Sequence, residues 1–145
     1  MKKVILITIL TVLLTSSVLT AAPKQKEKIL VVLLDKPSWF KQSIIDSLKT
    51  TYLVDVVSAT KPGDIKSEDY KSVIVMDQLK AWMMGNGKLK KFSKFMDPKH
   101  TVYFVTSGDK NWKWKKQGIR TVTSASKSAK VSEVMKELRL KIEEN

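Results

Sequence analysis

The chain has no cysteine and a single histidine, His100. Without cysteine it forms no disulfide and offers no reactive thiol and no thiolate ligand for zinc or an iron–sulfur cluster. One histidine is too few for a His-rich metal site, and any triad built on histidine would have to use His100. We interpret His100 as an ordinary surface residue or the start of a strand.

Catalytic signatures are also missing. The sequence contains no Gly-x-Ser-x-Gly elbow, no Walker loop and no Gly-x-Gly-x-x-Gly loop. Asp35 and Asp77 each follow an apolar run, where they would be able to share a cation or a phosphoryl group. Two acids alone make an incomplete metal site. Whether the protein is an enzyme is left open, and the lack of a catalytic set favours a protein without chemistry of its own.

Arginine is scarce although the chain is strongly basic. The formal net charge is +13, and the only arginines are Arg120 and Arg139. Lysine is a hydrated point charge, whereas planar recognition of phosphate and of bases uses arginine. The charge therefore predicts a solvated basic surface that attracts an anionic membrane surface or an acidic protein, and no nucleic acid.

The N-terminal residues have the pattern of a secretory signal. Two lysines precede the apolar run Val4–Leu14, and small residues fill 15–22. The run is shorter than the roughly 20 residues of an ordinary spanning helix. We predict a signal peptide over 1–22, one domain over 23–145 and export to the periplasm or the extracellular space. Because Pro23 hinders cleavage, the alternative is an uncleaved signal that anchors the protein to the membrane.

The rest of the chain alternates strand and helix patterns. Six consecutive apolar residues, Ile29–Leu34, predict a strand that is buried on both faces of a parallel sheet. Trp39 and Phe40 are interpreted as core residues, and Asp35 or Ser38 as the helix cap. Further strands are predicted at 53–57 (an edge), 72–76, 101–106 and 118–122, and helices at 39–50, 88–96 and 129–143. This order predicts an α/β fold with helices on both faces of a parallel sheet.

Three segments carry a family pattern: DYKSVIV at 69–75, LKKF at 89–92, and VTSGD at 105–109 with Trp112 three residues after Asp109. With the order of elements, they resemble the flavodoxin-like family. The first is similar to the start of that family's third strand, the second to the following helix and the third to the loop after its fourth strand. The resemblance implies a flavodoxin-like three-layer sandwich with a five-stranded parallel sheet, preceded by the signal segment.

The resemblance also implies a site. In such folds the ligand lies outside the carboxyl ends of the strands, where the strand order switches direction. A flavin such as FMN, or a similar flat anionic ligand, is implied there, with Trp82 and Trp112 on either side of its ring and a role in electron transfer. The cofactor-binding residues implied in this way are Lys36, Ser38, Asp77, Trp82, Ser107, Gly108, Asp109 and Trp112.

The chain departs from the family after the first strand. The family's phosphate loop is rich in Ser, Thr, Asn and Gly, whereas residues 35–39 read DKPSW. A second likeness concerns Val122–Ser126, which resembles the end of a signature of exported flavoproteins and implies FMN esterified to Ser126. The other interpretation of this segment is a strand end followed by a helix cap at Ser126 or Ser128.

The stretch WKWKK at 112–116 alternates aromatic and basic residues. It is compatible with a membrane interface, with stacking on a flat ligand, or with tryptophans that cover the sheet while lysines face water. The sequence is thus compatible with two functions. One is a flavin-binding domain; the alternative is a non-catalytic basic adaptor that binds an acidic partner of the cell envelope and has lost the ligand site.

Overall fold

The computed structural model describes residues 24–79, 87–109, 111–114, 116–125 and 129–144. The predicted signal segment 1–22, Trp82 and the predicted FMN acceptor Ser126 lie outside these residues. The elements, in chain order, are β1 (Lys28–Leu33), α1 (Trp39–Thr51), β2 (Leu53–Ser58), a 3-10 helix (Pro62–Asp64), β3 (Ser72–Leu79), α2 (Gly87–Phe95), β4 (Thr101–Ser107), β5 (Arg120–Ala125) and α3 (Val131–Glu143).

The five strands form one parallel sheet in the order β2-β1-β3-β4-β5. The parallel α/β sheet expected from the sequence is therefore confirmed, and β2 is an edge strand as predicted. Alternate residues of β1 enter different cores. Ile29, Val31 and Leu33 pack beneath α1 and α3, while Leu30 and Val32 pack beneath α2. The run of aliphatic residues in β1 is explained by this burial on both faces.

The two helix layers differ in thickness. α1 and α3 together cover one face of the sheet. The opposite face carries α2, with its buried Leu89 and Phe92, and the half-buried rings of Trp112 and Trp114. Between β2 and β3 the structure describes only the 3-10 helix, and the described part of 108–119 contains no helix. A helix of nine residues and an irregular aromatic segment therefore protect this face.

Three predictions about individual elements are wrong. β5 begins at Arg120 rather than Gly118, because Gly118 has φ +74° and forms the turn before the strand. Trp39 is 71% exposed, because it lies one residue, or about 100°, away from the apolar stripe of α1 that buries Phe40. The N-cap of α3 is Lys130, not Ser126 or Ser128.

Candidate functional site

The loops after β1, β3 and β4 meet at one edge of the sheet. Leu33 of β1 is in register with Met76 of β3, and the Leu34 backbone N–H donates to the Met76 carbonyl at 3.0 Å. Leu79, two residues beyond Asp77, is in register with Ser107 at the end of β4. Because all strands run parallel, their carboxyl ends share this edge, which we call the carboxyl edge. It holds Asp35, Lys36, Ser38, Asp77, Ser107, Gly108 and Asp109, as the sequence predicts, but their part in binding stays a prediction.

An internal ion pair occupies the loop between β1 and α1. Ser38 is the N-cap of α1, and its Oγ accepts a hydrogen bond from the Lys41 backbone N–H at 3.3 Å. The Lys41 side chain is fully buried, and its Nζ binds Asp35 Oδ1. Lys36 points to solvent. The polar groups that begin α1 are thus already engaged with one another.

Asp77 lies within β3, not in the following loop as predicted, because the strand continues to Leu79. Its side chain is buried, and Oδ1 accepts a hydrogen bond from the Gln78 backbone N–H at 2.8 Å. Burial raises the pKa of Asp77 to about 6, and the nearby negative charge of Asp35 acts in the same direction. Lys41 and Lys88 oppose the increase in this pKa. The edge therefore contains a cluster of four charged groups: Asp35, Lys41, Asp77 and Lys88.

The loop after β4 closes on itself. Ser107 is buried, and its Oγ accepts from the Asp109 backbone N–H at 3.1 Å. Asp109 Oδ1 accepts in turn from the Asn111 backbone N–H at 2.8 Å. Gly108 is exposed, and a Cβ added to it would meet open space. Ser107 and Asp109 thus shape this turn through their side chains, and no described atom lies within 4 Å of a Cβ built on Gly108.

The two described tryptophans of the WKWKK stretch differ in their contacts. Trp114 packs edge-on against Tyr103, with ring centroids 5.5 Å apart, and its backbone N–H donates to Thr123 Oγ1 at 3.3 Å. Trp114 therefore covers the sheet. Trp112 follows the loop after β4 and is half-buried against the α2 layer. Trp112 as a whole is thus partly exposed.

Trp39 is an aromatic residue at this edge. The segment after β1 that the sequence assigns to the site ends with it, although its side chain was interpreted as core. It occupies the first position of α1, directly after the loop from β1, and its ring meets Phe40 edge-on at 5.7 Å. A tryptophan that is 71% exposed is unusual, because indole is largely buried in most proteins. Among the described residues, two tryptophans with exposed surface therefore follow strands at this edge: the mostly exposed Trp39 after β1 and the half-buried Trp112 after β4.

A separate groove lies between α1 and α3. Its volume is about 750 Å³, and Thr50, Lys136 and Arg139 are among the residues on its walls. None of the cofactor-binding residues inferred from the sequence and described by the structure lines it. Within the described ranges no group of three acidic or histidine side chains is arranged to hold a metal ion, and no helix there has the length and apolar character needed to cross a bilayer.

Comparison with solved structures identifies the architecture. A flavodoxin from Streptococcus pneumoniae TIGR4 superimposes with a TM-score of 0.50 at 15% identity, over 81% of this chain and 96% of that one. The fold is flavodoxin-like. An archaeal flavodoxin (TM-score 0.45, 14% identity, 80% and 94% coverage) and an oxidoreductase from Corynebacterium diphtheriae (0.44, 11%, 83% and 95%) also match. No protein-family model matches the chain, and no curated protein does.

The residues of this flavodoxin-like domain do not fit the phosphate of FMN. In the loop after β1, Pro37 has no N–H to donate and Ser38 caps the helix. The buried ammonium of Lys41 is neutralised by Asp35, whose carboxylate would repel a phosphate. Lys41 was missed in the sequence, although its spacing to Ile45 and Leu48 places it on the buried stripe of α1.

Proposed function

We propose that the chain is an exported, non-catalytic flavodoxin-like domain that binds a flat ring ligand of the flavin type at the carboxyl edge. The observation that carries the proposal is the pair of tryptophans with exposed surface that follow strands at this edge, Trp39 and Trp112. Indole stacks on flat heterocycles and supplies affinity without a charged anchor. A role in electron transfer would follow only from a bound flavin ring, which is the group that carries electrons.

We expect riboflavin to quench the fluorescence of the two indoles and to bind at least as tightly as FMN, because Asp35 opposes the phosphate. Trp39→Ala and Trp112→Ala should each weaken riboflavin binding by about threefold to tenfold. Phe95→Ala is the matched control. Phe95 is 73% exposed but ends α2, at the opposite edge of the sheet. Titration of riboflavin and FMN into the four proteins measures these affinities.

Two results of the titration would count against this proposal. Absence of binding at micromolar riboflavin would remove the flavin-type ligand and leave the basic adaptor as the function. A clear preference for FMN over riboflavin would show that the Asp35–Lys41 ion pair opens to bind a phosphate. The loop after β1 would then fit the phosphate of FMN after all.

We further propose that residues 1–22 direct export and are removed. The intact mass of the protein recovered from its native compartment is then expected to fall below 16.5 kDa by the mass of these residues. A further increment equal to FMN would indicate covalent attachment, for which Ser126 is the proposed acceptor. Recovery of the full-length mass in the membrane fraction would support the anchored alternative instead.

A further inference from the structure

The stretch of the chain that includes α2 has basic residues and no acidic ones. The sequence contains no Asp or Glu between Asp77 and Asp97. Within this stretch α2 exposes Lys90, Lys91 and Lys94. None of the ion pairs found in the described part of the chain includes any of these three lysines. Their charges are therefore available to a partner.

The segment after β4 extends this surface. Lys116 Nζ donates to Ser93 Oγ on α2 at 3.0 Å, so its charge lies beside the helix. The sequence again has no acidic residue between Asp109 and Glu133. We define the basic face by the side chains Lys90, Lys91, Lys94, Phe95 and Lys116. Acidic groups only border it, with Asp64 on the 3-10 helix that packs beside α2 and Asp97 bound to His100 at the end of α2.

An apolar ring stands among these charges. Phe95 is 73% exposed and follows Lys91 by one helical turn. Exposure of a phenylalanine to water is unfavourable, and burying such a ring gains about 1.5–3 kcal/mol. Lysines around a projecting aromatic ring are typical of surfaces that lie in the headgroup region of a membrane, with the ring inserted between lipids.

We propose that the basic face docks the domain on an anionic lipid surface. Lysine ammonium groups bind lipid phosphates as point charges and need no fixed geometry. Arginine, with its planar guanidinium, is the residue suited to nucleic acids and to individual carboxylates. The five defining side chains contain no arginine. An acidic protein would satisfy the lysines but gives no reason for the exposed Phe95, whereas a lipid surface accounts for both.

Vesicles of phosphatidylcholine, with or without an equal part of phosphatidylglycerol, test this in a sedimentation assay with the full chain. Binding is expected to require phosphatidylglycerol and to weaken from about 0.1 M to about 1 M salt, as the Debye length falls from about 10 Å to about 3 Å. The triple variant K90Q/K91Q/K94Q should lose about two orders of magnitude in affinity, at roughly fivefold per lysine. Phe95→Ala should lose about tenfold.

A charge-matched variant on the other helix layer, K49Q/K130Q/K136Q, is the control and should bind like the parent. The apolar segment Val4–Leu14 is present in every variant, so binding to vesicles of phosphatidylcholine alone is measured for each variant and subtracted as background. If the two triple variants lose equal affinity for the vesicles, the net charge of the protein drives binding and the basic face has no special role. Equal binding to soluble polyglutamate, with no effect of Phe95→Ala, would point to an acidic protein. Trp39→Ala should leave vesicle binding unchanged, so failure here and failure of the ring-ligand site are distinguishable.

Discussion

Replacing Asp35 by alanine is expected to lower the free energy of unfolding by about 3–5 kcal/mol. The Lys41 side chain has no solvent exposure, and Asp35 is the one acceptor that its ammonium binds in the described structure. Without that carboxylate a positive charge is left in a poorly solvated place, and desolvation of a charge is among the largest penalties in a protein. Chemical denaturation with urea measures the loss.

The matched variant removes the other charge of the pair. Lys41→Met keeps a long apolar side chain and leaves Asp35, which is 26% exposed, able to bind water. We expect its stability to stay within about 1–2 kcal/mol of the parent, and the double variant D35A/K41M to recover most of the loss. If Asp35→Ala and Lys41→Met lose equal stability, the buried, unpaired ammonium of Lys41 is not the cause of the loss in Asp35→Ala.

Asp77→Asn is expected to stabilise the domain at neutral pH. The pKa of Asp77 is raised from 3.8 to about 6 by burial, so the folded state holds the proton more tightly than the unfolded chain. Well below pH 3.8 both states are protonated and there is no penalty. As the pH rises from about 4 to about 6 the unfolded chain releases the proton that the folded state still holds, and this removes up to about 3 kcal/mol of stability. Asparagine cannot ionise and keeps an acceptor for the Gln78 N–H.

Unfolding midpoints of the parent and of Asp77→Asn, measured between about pH 4 and pH 7, test this linkage. The two should agree at the acidic end and separate as the pH rises. Asp109→Asn is the control, because Asp109 lies at the same edge but is exposed. Lower stability of Asp77→Asn at neutral pH would mean that Lys41 and Lys88 stabilise the ionised Asp77 by more than burial disfavours it.

The element order could be predicted because it depends on local pattern. The aliphatic side chains of Ile29–Leu34 leave water only if both faces of the strand are buried. The apolar stripe of α3 at Val134, Leu138 and Ile142 must face the sheet, which fixes the orientation of this helix. The start of β5 could not, because the residues around Gly118 suit a strand and a turn equally well. The choice there depends on a positive φ that composition does not reveal.

For the candidate site, the sequence could predict the location but not the side-chain partners. Parallel strands bring their carboxyl ends together, so the common edge of Asp35, Asp77 and Gly108 follows from topology alone. Side-chain partners depend on tertiary distances. The pairing of Asp35 with Lys41 and the exposure of Trp39 therefore appear only in the structure, and flavin binding and export remain predictions.

The unequal helix layers have a consequence for motion. Local opening of a protein starts where few apolar groups must leave the core, and the α2 layer contributes one short helix and an irregular segment, whereas α1 and α3 form two long helices over the other face. The α2 layer should therefore be the first cooperative unit to exchange its amide hydrogens. Since this layer also carries Trp112 and the basic face, contact with a partner would stiffen the least stable part of the domain.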